Sequence, residues 1–446
     1  MRDEDGVARL RVFGRAQRLA GSISVPGDKS ISHRAALLGA IAEGTTRISG
    51  FLPSNDCLAT LGVVRSLGIE VAGPSPSTGE VVISGRGATG LREADEAPFC
   101  GGSGTTMRLA AGLLAGQRFY SILDGNEQLR RRPMGRVTEP LRRMGARIFG
   151  RRGGTLAPLT IVGGDLHGID YIMPIASAQI KSALLLAGLF AEGATTVREA
   201  APSRDHTERM LAAMGARIDR SMPGTVSVSR SALSALSLTV PGDISSAAFI
   251  LASGAAVVGS EIRIEGVGVN YTRTGVVDVL RAMGVLIREE NRREEHGEPV
   301  ADLIVESRRL CAAQIAGPLV PRLIDELPVL AVVATQAEGV TEVRDAAELR
   351  VKETDRIATV VEELGKMGAH IEALPDGFRV YGPTVLRAAV VESHGDHRLA
   401  MALAVAGLLA DGETLIRDTS CIADSYPGFS EALVALGAQV EETDGR

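Results

Sequence analysis

A chain of 446 residues, 45% hydrophobic and 23% charged, has enough apolar material for two sizeable cores. A formal net charge of −6, no Trp and 3% aromatics exclude a general nucleic-acid surface and its stacking platforms. No uncharged apolar run reaches the roughly 18 residues of a membrane span, and the opening stretch MRDEDGVARLRVFGR, with Asp3, Glu4 and Asp5, is too polar and acidic for an export or transit segment; a cytoplasmic, membrane-free protein is expected.

Cys57, Cys100, Cys311 and Cys421 are far apart, with no CxxC pair, and are expected as small buried residues. His394 and His397 have an HxxH spacing without a third ligand nearby, so neither a metal nor another cofactor is expected. Lysine stands only at Lys29, Lys181, Lys352 and Lys366 in an otherwise Arg-rich chain. Such positions can mark places where a compact ammonium fits and a planar guanidinium does not.

In chain order, Ser24-Val25-Pro26-Gly27-Asp28 is turn chemistry before a helix that starts near Lys29 and Ser30, with Arg34 one turn on. Free N–H groups at that helix start favour an anion, although a cap with surface charges is the plain alternative. The apolar phrase LLGAIAEGTTRISG from Leu37 leads into a strand, and VVRSLGIEV around Gly68 reads as helix, Gly cap, strand. Gly101 to Arg108 is a Gly-rich turn whose backbone can approach an anion, followed by the second apolar phrase from Gly112. Arg130, Arg131 and Arg132 follow the Asp124-Gly125 turn, and LRRMGARI repeats the cap phrase at Gly145. Ser177-Ala178-Gln179 opens a third apolar helix, expected to be buried from Ile180 to Phe190. Ser203-Arg204-Asp205-His206 precedes LAAMGARI at Gly215. For Ser177, and again for the Ser203 segment, helix capping is the structural alternative to ligand binding.

A second turn, Thr239-Val240-Pro241-Gly242-Asp243, echoes the first. Beyond it the phrases return: ILASGAAVVGSEIRIEG from Ile250, LRAMGVLI at Gly284, LAVVATQAEGVTEVRDA from Leu330, LGKMGAHI at Gly368, ALAVAGLLADGETLIRD from Ala402 and LVALGAQV at Gly437. Between them lie a charged insert from Arg288 to Glu298, expected as solvated surface, and three charged motifs. Asp325-Glu326 stands at the mouth of an apolar helix, where Asp325 could cap or accept a hydroxyl proton. Glu348 to Arg356 is the densest charge run, and Asp396-His397-Arg398 sets a cation at a helix start, unfavourable there unless an anion joins it.

Six units therefore recur roughly every 70–85 residues, longer than the roughly 20–50 of short solenoid repeats. Each suits a β-α-β-α-β-β unit. The expected fold is α/β, with two similar domains of three units each and a ligand cleft between them. The two Pro-Gly-Asp turns mark the crossings, giving residues 1–25 with 241–446 as the first domain and 26–240 as the second. Helix starts loaded with Lys and Arg predict a site for small polyanionic ligands.

The ordered set PGDKSxSxR, GSGTTMRL, RPMGR, SAQIKSALLLAGL, SRDHTE, DELP, VKETDR and GDHRxAM resembles the 5-enolpyruvylshikimate-3-phosphate synthase family over essentially the whole chain. The resemblance implies transfer of the enolpyruvyl group of phosphoenolpyruvate to the 5-hydroxyl of shikimate 3-phosphate, in aromatic amino acid biosynthesis. It further implies that Lys29, Ser30, Arg34, Ser177, Gln179, Arg204, Asp325 and Lys352 hold shikimate 3-phosphate. Phosphoenolpyruvate would meet Lys29, Gly104, Arg132, Gln179, Arg356 and Arg398, with Arg108 and His397 close by. Asp325 or Lys352 would be the base, and Glu353 or Lys29 the acid. A monomer with no cofactor and two small-molecule substrates is expected.

The chain departs from the best-known members at Gly102, where they have Asn, at Ala178, where many have Ser, and at Asp424, where some have Lys. Gly104 is the position at which Ala in other members crowds out glyphosate, so this chain is expected to be a glyphosate target. The alternatives are the related transferase acting on UDP-N-acetylglucosamine, whose mobile-loop Cys and Lys-Asn pair are missing here, and a non-catalytic repeat scaffold, which would not need charged residues at helix starts.

Overall fold

A computed structural model describes residues 7–75 and 78–443; Asp3, Glu4 and Asp5 lie outside the described residues. The chain divides into two compact units. One holds the residues up to Pro26, Gly242–Arg293 and Pro299–Arg446; the other holds Gly27–Pro241 and Glu294–Glu298.

The repeat unit is carried by helices of two alternating kinds. The second unit contains α1 (Lys29–Ala40), α2 (Asn55–Ser66), α3 (Gly104–Ala115), α4 (Gly135–Arg143), α5 (Ala178–Gly188) and α6 (His206–Ala213). The first contains α7 (Ile244–Ala256), α8 (Gly275–Ala282), α9 (Leu327–Thr335), α10 (Arg356–Lys366), α11 (His397–Gly407) and α12 (Phe429–Ala435). The odd-numbered helices are the Ala- and Leu-rich phrases and are buried nearly all round; every residue of α7 is buried. Helix α5 is buried from Ile180 onward but ends at Gly188, short of the expected Phe190. The even-numbered helices are amphipathic. Helix α10 buries Arg356, Ile357, Val360, Glu363 and Leu364, the three-and-four spacing of one face.

Each even helix ends the same way. Gly68, Gly145, Gly215, Gly284, Gly368 and Gly437 have φ between +80° and +108°, the left-handed turn that stops a helix and that a side chain resists. The strand that follows returns along its own sheet.

The described residues form six sheets. In one, Gln314–Ile315 runs parallel to Gly339–Val343, which pairs antiparallel with Gly377–Gly382, itself antiparallel to His370–Leu374. Others are completed by distant chain. Arg9–Phe13 lies between Glu413–Arg417 and Val440–Thr443, antiparallel to both, and Ala20–Ser24 runs parallel to Glu261–Gly268. In the second unit, Leu233–Ser234 and Ser237–Thr239 run parallel to Ala42–Ser49.

Inside each unit the three odd helices pack on one another, and the sheets surround them. Each unit has its own apolar core. Helices α3 and α5 touch so closely that a Cβ on Gly112 would fall 2.2 Å from the Ala183 carbonyl oxygen. Two expectations are corrected. Cys311 is exposed, unlike the other three cysteines: at the isolated bridge to Glu338 its neighbour Leu310 takes the buried place. Glu298, expected on the surface, is buried with a carboxylate oxygen 2.8 Å from His206 Nδ1 in the same compact unit.

Candidate active site

In the first unit the charge-dense run folds around a buried arginine. Ala347–Val351 forms a short 3-10 turn, and Asp355 caps α10 by accepting the Ala358 N–H. Arg356, the first residue of α10, is 1% exposed. Its Nε and Nη2 bind the Asp396 carboxylate at 2.7 and 3.1 Å, Nη2 reaches Glu353 at 2.7 Å, and Nη1 reaches Asp325 at 3.2 Å. Burial works against its charge, but Asp396, Glu353 and Asp325 outweigh that and raise its pKa above the ordinary value. Lys352 Nζ donates to the same Asp325 oxygen at 3.0 Å. Asp325, Lys352, Glu353 and Arg356 thus form one cluster.

Asp325 does not cap α9. Glu326 holds the cap position and makes no capping bond there. Its carboxylate instead accepts from the Ser245 hydroxyl and lies 3.9 Å from Arg398 Nη1. Arg398 also donates to the Ser245 carbonyl at 3.2 Å. Arg273 ties this group to Asp243, donating to the Asp243 carboxylate at 2.9 Å and to Ser245 Oγ at 2.7 Å. The helix-start cation is therefore balanced within the protein by a buried carboxylate. His397, also buried, is the first residue of α11.

The second unit gathers the remaining residues in three groups. Lys29 Nζ lies 2.5 Å from Asp56. The side chain of Asp28 caps α1 through the Ile31 N–H, and beside it His33 is fully enclosed. Burial, with Lys29 and Arg34 nearby, pushes the His33 pKa well below its ordinary value, which keeps it neutral.

The second group is built on Arg34, whose three nitrogens donate to Thr207 Oγ1 (2.7 Å), the Ser30 carbonyl (2.9 Å) and Ser182 Oγ (2.8 Å). Arg204 Nη1 donates to Ser30 Oγ at 3.2 Å. The third group surrounds Gly104. Arg108 bonds Gln179 and the Pro133 carbonyl, and Gln179 Nε2 donates to Thr105 at 2.9 Å. A Cβ on Gly104 would lie 3.1 Å from both Arg108 Nη1 and Arg132 Nη1.

The structure sorts residues that the sequence left equal. Arg130 and Arg131 form ion pairs with Asp124 and Glu127, while Arg132 faces Gly104. Ser177 stands before α5 but makes no side-chain cap bond, and Asp205, not Ser203, occupies the cap position of α6, also without one. Beside Gly102, Asn126 Nδ2 lies 3.2 Å from where a Cβ would stand. Asp424 closes the 3-10 turn Thr419–Asp424. Asp56, Ser245, Arg273 and Glu326 were given no site role from sequence, and the echo of Pro26-Gly27-Asp28 in Pro241-Gly242-Asp243 was the signal that could have drawn in Ser245.

Among the described residues, Glu362, Glu363 and His394 bring three candidate metal-ligand atoms together, but His397 is not among them. Lys366 Nζ lies 2.8 Å from Glu363 and 3.1 Å from Glu362, so an ammonium already offsets one of the two carboxylate charges of that group.

A family model described as EPSP synthase (3-phosphoshikimate 1-carboxyvinyltransferase) matches residues 14–433. A protein of Pelotomaculum thermopropionicum named 3-phosphoshikimate 1-carboxyvinyltransferase is 55% identical over 425 residues, 95% of this chain and 98% of that one. A Bacillus subtilis protein of the same name is 50% identical, covering 95% and 98%. A solved structure of EPSP synthase from Acinetobacter baumannii superposes with a TM-score of 0.87 at 42% identity, over 98% of this chain and 100% of that one.

Proposed function

The chain belongs to the EPSP synthase (3-phosphoshikimate 1-carboxyvinyltransferase) family, and from that membership we infer that it moves the enolpyruvyl group of phosphoenolpyruvate onto the 5-hydroxyl of shikimate 3-phosphate. The geometry that carries this reading is the Asp325 carboxylate held by Lys352 at 3.0 Å and Arg356 at 3.2 Å. A hydroxyl placed on Asp325 meets an acceptor, and Lys352 is hydrogen-bonded to that acceptor. The base is then Asp325 or Lys352 of this hydrogen-bonded pair.

In the first step the hydroxyl oxygen bonds to C2 of phosphoenolpyruvate, its proton passes to the pair, and a proton is added to C3 from Glu353 or Lys29. In the second step the C2–O bond to phosphate breaks, phosphate leaves, and a C3 proton is returned, restoring the double bond. Arginines suit the carboxylate and phosphate groups because their forks match two oxygens at once. We assign Lys29, Ser30, Arg34, Ser177, Gln179 and Arg204, with Asp325 and Lys352, to shikimate 3-phosphate. Lys29, Gly104, Arg132, Gln179, Arg356 and Arg398 are assigned to phosphoenolpyruvate, with Arg108 and His397 beside them.

The domains we assign are residues 1–25 with 241–446, and 26–240; the two compact units support this division except at Glu294–Glu298, which lies with the second unit. We further assign the enzyme to the cytoplasm as a monomer; among the described residues no helix is long and apolar enough to cross a membrane. The test is phosphate release from phosphoenolpyruvate with shikimate 3-phosphate or UDP-N-acetylglucosamine as acceptor. Release with the first alone is expected; release only with the second, or with neither, overturns the assignment.

A further inference from the structure

Lys181 is the one ammonium in the second unit that the proposed reaction does not use, since Lys29 is that unit's only other lysine. It is 1% exposed, and three acceptors surround its nitrogen: Glu208 at 2.7 Å, Glu199 at 2.9 Å and the Ser203 carbonyl at 3.2 Å. Burial pulls its pKa down, but the two carboxylates outweigh that and keep it charged. Glu199 completes a ring: its second oxygen accepts the Ser203 N–H at 3.2 Å and the Ser203 hydroxyl at 2.6 Å. The residue after Lys181 grips the other side of the same turn, because Ser182 Oγ shares a hydrogen bond with Thr207 Oγ1 at 2.7 Å.

The residue framed by these contacts is Arg204. Its neighbour Ser203 is fixed on one side, and Thr207 and Glu208 are fixed on the other. Its own guanidinium reaches Ser30 Oγ at 3.2 Å. The three acceptors converge on one small cation, which suits an ammonium with three donors and not a planar guanidinium. Such a cluster contributes little net stability over an apolar replacement, so its geometry is the more informative feature.

We propose that Lys181, bridging Glu199, Glu208 and the Ser203 carbonyl, is a positioning residue that holds the Arg204 turn in register with Ser30 and Arg34 to receive the phosphorylated acceptor. The inference rests on the assignment of Arg204 to shikimate 3-phosphate. It also accounts for lysine at position 181 in a chain that mostly uses arginine.

The test compares the full-length wild type with Lys181→Met and Glu199→Gln. Glu199→Gln keeps Lys181 but sets an NH2 against one of the donors that the carboxylate now accepts, and it stands in if Lys181→Met fails to fold. Folding is checked by circular dichroism and thermal unfolding, shikimate 3-phosphate binding by calorimetry, and turnover by phosphate release. The expected result is an affinity and KM for shikimate 3-phosphate worse by about tenfold or more, with KM for phosphoenolpyruvate within about twofold of wild type. Folded variants that bind shikimate 3-phosphate as the wild type does, or that lose both substrates equally, overturn the proposal. A wild type that neither binds nor turns over shikimate 3-phosphate overturns the functional assignment instead, a result read before any variant is made.

Discussion

Gly104 has no side chain, and the two guanidinium groups beside it depend on that. A methyl there would stand 3.1 Å from a nitrogen of Arg108 and of Arg132, closer than side chains usually tolerate. Gly104→Ala is expected to raise KM for phosphoenolpyruvate and to weaken inhibition by glyphosate, while millimolar glyphosate inhibits the wild type. Steady-state kinetics with and without the inhibitor check both, and a wild type unaffected by glyphosate contradicts the first half. Asp325→Asn keeps an oxygen that can accept from Lys352 and Arg356 but removes the negative charge and the proton-accepting carboxylate, and it leaves Arg356 bonded to Asp396 and Glu353. Turnover is expected to fall about 10²–10⁴-fold with the fold intact. Asp396→Ala is the opposite case. It takes away the carboxylate that meets both Nε and Nη2 of a buried arginine, and is expected to destabilise the protein by about 3–5 kcal/mol. Urea denaturation of the two variants separates them; equal stabilities would mean that Asp396 does not carry the buried charge.

At the level of elements, the repeated cap can be isolated at Gly215. A Cβ there meets nothing within 4 Å, so the cost of Gly215→Ala comes from the φ of +86° alone. It is expected at about 1 kcal/mol, measured by denaturant unfolding; no loss would mean that the turn relaxes freely. Local features of this kind were legible in the sequence. The six glycines and the six apolar helices express near-neighbour physics, a left-handed residue after a helix and a continuous buried face, and both are present where the phrases placed them. Long-range pairing was not legible. No local pattern tells that Arg9–Phe13 pairs with Glu413–Arg417, or that Lys29 meets Asp56. The same holds for the site. Clusters close in sequence, such as Lys352, Glu353 and Arg356, could be seen as one group. The difference between Arg132 and its neighbours Arg130 and Arg131 depends on which faces Gly104 across the fold.

For the molecule as a whole, the decisive feature is that the apolar core comes in two parts. The cluster containing Leu10, Phe249 and Leu403 belongs to the first unit, and the one containing Leu37, Leu113 and Leu211 to the second. Cooperativity in unfolding follows shared burial, so two cores predict two calorimetric transitions rather than one. Leu211, fully buried in α6, tests this. Leu211→Ala is expected to cost about 2–5 kcal/mol and to lower only the transition of the second unit. Shikimate 3-phosphate alone should act in the opposite sense on that same transition, because most of the residues assigned to it lie between Lys29 and Arg204. At a hundredfold excess over its dissociation constant the stabilisation amounts to about 2.7 kcal/mol, enough to oppose the loss from a moderate cavity. A single transition that shifts as a whole with either change would mean that the two cores melt together, and a ligand shift confined to the other transition would move the acceptor site to the first unit.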